Sequence, residues 1–101
     1  MAVVEVSITP LGTGEAGVSR FVAGCVSIVR DSGLAYQLTP MGTIIEGELD
    51  SILAVIRRMH ESPFAAGAQR VSTLIKIDDR RDRAEHTMQG KLSSVEARLA
   101  Q

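Results

Sequence analysis

Apolar residues follow two rhythms along the 101-residue chain, and the changes between them mark out its elements. Over residues 3–9 the pattern alternates, with Val4, Val6 and Ile8 on one side and Glu5, Ser7 and Thr9 on the other. A period of two belongs to a strand with one face toward a core. Pro10 is expected to end this strand, and Leu11-Gly12-Thr13-Gly14-Glu15 has the composition of a loop. Over residues 17–32 the rhythm turns helical. Val18, Phe21, Val22, Cys25, Ile28 and Val29 recur at steps of three and four, which collects them on one stripe. Gly33 follows as a C-terminal cap.

Two further strands are expected at Ala35–Thr39 and at residues 43–47, joined by the turn Pro40-Met41-Gly42. Proline presets φ and glycine tolerates positive φ, which suits a turn. A second helix over residues 48–61 carries the stripe Leu49, Ile52, Leu53, Ile56 and Met59. Its acids Glu48 and Asp50 lie in the first turn and Arg57, Arg58 and His60 near the end, in accord with the helix dipole; Ser62-Pro63 should stop it. Residues 70–78 alternate again, with Val71, Thr73, Ile75 and Ile77 inward. After the charged run Asp78-Asp79-Arg80-Arg81-Asp82-Arg83, the residues Met88, Leu92, Val95 and Leu99 signal a last helix. Gly90 inside it costs about 1 kcal/mol relative to Ala.

The order β-α-β-β-α-β-α implies an α+β fold: a ferredoxin-like βαββαβ sandwich with an additional C-terminal helix, formed as a single domain over residues 1–101. Helices would cover one face of a four-stranded antiparallel sheet and leave the other open. A three-residue turn would pair Thr39 with Thr43, Leu38 with Ile44 and Tyr36 with Glu46. Leu38 and Ile44 would then face the helices. Gln37, Thr39, Thr43 and Ile45 would face outward beside Glu5, Ser7, Thr9, Ser72, Leu74 and Lys76. Strict alternation sets Glu46 on the helix side, where a carboxylate is costly unless hydrogen-bonded or turned out by a bulge.

Composition narrows the chemistry. With 45% hydrophobic and 23% charged residues, the chain is globular rather than a disordered tail. Twelve acidic residues against 11 basic ones leave no broad positive footprint for nucleic acid or an anionic membrane. No apolar run approaches the length of a membrane span, about 20 residues, and the N-terminus lacks the pattern of a signal peptide; the cytoplasm is the expected address. The one cysteine, Cys25, has no partner for an intrachain disulfide and sits in an apolar stripe, as an inert core thiol does. His60 and His86 stand apart, so neither a metal, a cofactor nor a proton-transfer pair is expected.

Three aromatics, Phe21, Tyr36 and Phe64, are too few for base stacking on the open face. The segment Gly14-Glu15-Ala16-Gly17-Val18-Ser19-Arg20 resembles the anion loop of acylphosphatases, whose pattern also implies an asparagine; this chain has none. A small phosphate-handling enzyme is therefore a minor alternative, and no catalytic residue is assigned. The neutral hydrogen-bonding groups of the open face suit a small polar heterocycle, because they can pair with ring nitrogens and exocyclic amines without burying an unpaired charge. They equally suit a solvated face or a subunit interface.

Tyr36-Gln37-Leu38-Thr39-Pro40-Met41-Gly42-Thr43-Ile44-Ile45-Glu46-Gly47-Glu48 resembles the signature of the thiamin-binding-protein-like family. Val4-Glu5-Val6-Ser7-Ile8 and the stretch from Arg70-Val71 to Ile77-Asp78-Asp79-Arg80-Arg81-Asp82 extend the resemblance over about residues 3–95. It implies a ferredoxin-like protein without catalysis, assembled as a homodimer or a homotetramer, with thiamin or its pyrimidine moiety as ligand. It also implies ligand-binding positions at Ser7, Tyr36, Gln37, Thr43 and Glu46. The contrasting expectation is an oligomeric structural or regulatory protein with no small-molecule ligand.

Overall fold

The computed structural model describes residues 1–82 and 86–100; Arg83, the last of the charged run, lies outside them. The elements are β1 (Ala2–Leu11), α1 (Ser19–Asp31), β2 (Ala35–Thr39), β3 (Gly42–Gly47), α2 (Leu49–Ala65), β4 (Arg70–Asp79) and α3 (Met88–Leu99). The strands form one antiparallel sheet in the order β2-β3-β1-β4, which is the expected ferredoxin-like α+β architecture. Helices α1 and α2 cover one face. The core lies between, built from Val4 and Val6 of β1, Ile45 of β3, Cys25 and Val29 of α1, and Ile52, Ile56 and Met59 of α2. Burying aliphatic side chains of this size contributes about 1.5–3 kcal/mol each. Gly33, at φ +80°, follows α1 in the left-handed conformation expected past a helix end.

Both prolines expected to terminate elements lie inside them. β1 runs through Pro10 to Leu11, because its partners differ in length. Pairing with β3 ends at Val6↔Thr43, whereas pairing with β4 continues to Leu11↔Arg70. Beyond Val6, β1 has a ladder on one side only, where a residue without an N–H is tolerated as in an edge strand. Likewise α2 continues to Ala65 with Pro63 buried inside it. Proline cannot donate to the carbonyl four residues back, which here belongs to Met59. The Cys25 thiol donates to that carbonyl instead, at 3.3 Å, so α1 supplies the hydrogen bond that α2 lacks.

The hairpin corrects the expected register. Its ladder is Thr39↔Gly42, Leu38↔Thr43, Gln37↔Ile44, Tyr36↔Ile45 and Ala35↔Glu46, so the turn is the two residues Pro40 and Met41. Gly42 belongs to the strand and fits there for want of a side chain: a Cβ would lie 2.8 Å from the Val6 carbonyl oxygen. The Thr39 hydroxyl ties the turn, donating to the Gly42 carbonyl at 2.9 Å and accepting from the Met41 N–H at 3.3 Å. A shift of one residue turns β3 over. Thr43 and Ile45 are therefore buried against the helices, while Ile44 and Glu46 take the open face. This register buries an isoleucine and spares a carboxylate, the reverse of the expected one. Leu38 toward the helices and Gln37 outward stand as expected.

Candidate functional site

Where β3 stops pairing with β1, the hairpin tip diverges from residues 7–9 and the first turns of α1 pass opposite. The cleft between them encloses about 250 Å³. Its depth is apolar, with Cys25 and Met59 at the base, and Met41 stands at the mouth, 84% exposed. Its polar lining comes from Ser7, Thr9, Thr39 and Thr43. No lining residue carries a formal charge. Burial raises the Cys25 thiol pKa above its ordinary value, so the base of the cleft is neutral too.

Thr43 is the informative member. It is 5% exposed, the one buried polar residue of the described core, and among the described residues its hydroxyl has no hydrogen-bond partner. A hydroxyl on a residue this enclosed normally finds one. Facing a cleft, it keeps both donor and acceptor capacity for a visitor. Ser7 shares the cleft and the same spare capacity. The sequence-predicted positions thus divide. Ser7, Thr39 and Thr43 all line the cleft, but the register sets Thr43 on the helix face, paired with Val6, and Ser7 and Thr39 on the opposite face at its rim; sequence reasoning placed Thr39 on the sheet face but not in the site. Gln37 lies exposed on the open face. Tyr36 packs against the core cluster opposite Ile45, so the expected Tyr36–Glu46 pairing does not form.

Glu46 does something else. Its Oε2 accepts a hydrogen bond from the Met88 N–H at 2.7 Å, capping the start of α3, where a carboxylate also complements the helix dipole. Thr87 completes the cap by accepting from the Gly90 N–H at 2.9 Å. Lys91 of α3 donates to Asp78 at the end of β4, and His86 Nε2 lies 3.3 Å from the same carboxylate, an electrostatic contact without hydrogen-bond geometry. Under this attachment a shallower hollow of about 320 Å³ touches Glu5, Lys76, Asp78 and Lys91. This hollow on the open face is charged rather than neutral.

The alternative chemistries fare differently. Arg20, the cation of the acylphosphatase-like loop, is held by Glu15 at 2.9 Å, reaches the Ala66 carbonyl at 3.4 Å and lies 4.0 Å over the Phe21 ring. It is committed to closing the loop onto the end of α2. Within the charged run Arg80 pairs with Asp82 at 2.6 Å and Arg81 with Asp79 at 2.8 Å. His60 is bound to Thr73 Oγ1 at 2.7 Å. Among the described residues no cluster of His, Cys, Asp or Glu could hold a metal, and no helix is long and apolar enough to cross a membrane.

The fold and the cleft define a small ferredoxin-like α+β protein with a neutral, hydroxyl-lined cavity between sheet and helices. The chain belongs to the thiamine-binding protein family, whose sequence profile matches residues 4–96. It is 46% identical to the UPF0045 protein YqgV of Bacillus subtilis over 103 aligned positions covering 98% of each chain. A Staphylococcus xylosus UPF0045 protein is 41% identical, over 98% of this chain and 95% of its own. Among solved structures, the hypothetical protein MJ1052 of Methanocaldococcus jannaschii superposes with a TM-score of 0.83 at 38% identity, covering 93% of this chain and 94% of its own. A Thermotoga maritima protein whose name proposes a part in thiamine biosynthesis or salvage superposes at 0.78 over 93% of this chain and 97% of its own. Its 18% identity speaks for the fold alone.

Proposed function

We propose that this protein is a non-catalytic cytoplasmic binder of thiamin or a related aminopyrimidine, working as a homo-oligomer, and that the ligand's ring enters the cleft between the hairpin and α1. The observation that carries this reading is the unpaired hydroxyl of Thr43, a nearly buried residue in the wall of the cleft. An aminopyrimidine offers ring nitrogens that accept and an exocyclic amine that donates, and hydroxyls can meet both. The apolar base suits the ring faces, and the absence of charge suits the neutral aminopyrimidine ring rather than thiamin's cationic thiazolium. The family's name points to the same ligand class. Ser7, Thr39 and Thr43 orient the ring in this reading; Glu46 and Tyr36 act on the fold, and Gln37 lies apart from the cleft.

Calorimetric titration with thiamin and with hydroxymethylpyrimidine tests it. Saturable binding is expected, weakened about tenfold by Thr43→Val or Ser7→Ala, the loss of roughly one hydrogen bond to a ligand that is otherwise held. Thr43→Val keeps the side-chain shape and removes a hydroxyl with no partner in the protein, so stability should be unchanged or higher. No heat with either compound at millimolar concentration overturns the reading. The contrasting reading, an oligomer without a ligand, draws on the exposed apolar residues Leu92, Val95 and Leu99 of α3.

A further inference from the structure

The tip of the hairpin carries an apolar side chain where solvent is nearest. Met41 is 84% exposed, more than any other large hydrophobic residue among those described, at a turn position that ordinarily takes Gly, Asn, Asp or Ser. Leaving a side chain of this size in water forgoes the burial that stabilises its counterparts in the core. The backbone beneath it is held from three sides. Pro40 fixes its own φ, and the Thr39 hydroxyl donates to the Gly42 carbonyl and accepts from the Met41 N–H. Gly42 in turn lies against the Val6 carbonyl. What is free to move is the Met41 side chain, an unbranched thioether with three rotatable bonds.

We propose that Met41 is the lid of the cleft, its thioether turning inward to cover a bound aromatic ring. The inference rests on the cleft as the ligand site and names the contact that closes it. No aromatic residue among those described lines the cleft, so no side chain there can stack on a flat ring. Two thioethers stand in for one: Met59 at the base and Met41 at the mouth. Sulfur beside an aromatic ring is a favourable contact, and an unbranched chain adapts to the ring it meets. Closure by a side chain also sets the kinetics. Exposed rotamers exchange within picoseconds to nanoseconds, ahead of any loop motion. The mouth therefore admits a ligand without waiting for the hairpin, and the lid acts afterwards by slowing departure.

Hydroxymethylpyrimidine is the probe, followed by calorimetry and stopped flow. Met41→Ala should weaken its binding about tenfold, through faster dissociation, with association unchanged within about twofold. Met41→Leu keeps the apolar volume and should stay within about threefold of the wild type. Because Met41 is mostly exposed in the free protein, both variants should unfold in urea as the wild type does. With isotope-labelled methionine methyl groups, the Met41 resonance, identified by its loss in Met41→Leu, should shift on saturation. Binding that Thr43→Val weakens and Met41→Ala leaves unchanged overturns the lid and keeps the cleft reading. A loss carried by the association rate also overturns it, because Met41 would then guide entry rather than cover the bound ring. No binding by the wild type at millimolar probe removes both.

Discussion

Cys25 makes good a fault in the hydrogen bonding of α2. Proline inside α2 strips the Met59 carbonyl of its helical donor, and a thiol from α1 fills the place at 3.3 Å. Its buried, apolar setting was legible from helical spacing. The carbonyl it serves was not, because nothing in the linear pattern says that α1 and α2 pass closely enough. They do so beside Gly24, where an added Cβ would lie 2.9 Å from Ser62 Oγ. Cys25→Ala should cost about 2 kcal/mol in urea unfolding, from an orphaned carbonyl and a small void. Cys25→Ser keeps a donor and should cost less; equal losses would show that the hydrogen bond contributes nothing. Burial raises the folded thiol pKa above its ordinary value of 9.0, so the folded state holds the proton more tightly than the unfolded one. That contribution is complete below the unfolded pKa and is lost as pH rises through the folded value. Wild-type stability should fall on the alkaline side of pH 9.0 more steeply than that of Cys25→Ala.

At the scale of elements, α3 depends on its first turn. A free helix of its length is marginal in water, and its apolar residues Leu92, Val95 and Leu99 are exposed. What holds it is a clasp at the N-terminal end: Glu46 on the Met88 N–H, Thr87 on the Gly90 N–H, and Asp78 with Lys91. Glu46→Ala should release this end, seen as faster amide exchange over residues 88–99 with the sheet unaffected; unchanged exchange would show that the clasp is dispensable. The Lys91 ammonium holds the Asp78 pKa below its ordinary 3.8. A lowered carboxylate contributes stability present above the unfolded pKa and lost as pH falls through the folded one. Wild-type exchange in α3 should therefore approach that of Glu46→Ala in acid, below pH 3.8. The stripe of α3 was readable from periodicity. Its cap was not, because the acid stands 42 residues earlier, on a strand face that the expected register had reversed.

Across the whole molecule, the protomer measures 49 × 29 × 20 Å with a radius of gyration of 15.1 Å, above the roughly 13 Å usual for this length. Such a shape leaves the apolar residues of α3 and the β4 edge exposed, with the neutral cleft between the hairpin and α1. A ligand bound only by the folded state stabilises it by mass action: about 2.7 kcal/mol at a free concentration near 100 times Kd. Thiamin at that ratio should raise the wild-type melting temperature, and the same concentration should do distinctly less for Thr43→Val. Equal shifts would place the ligand elsewhere. By itself, the sequence determined the order of elements, the fold class, the inward stripes of α1 and α2 and the family signature, because periodicity and turn chemistry are local properties. Only the tertiary structure decided which face Thr43, Ile45 and Glu46 occupy. A strand's side-chain period is two, so one residue in the turn inverts them all, and that residue was settled by the close approach of Gly42 to the Val6 carbonyl.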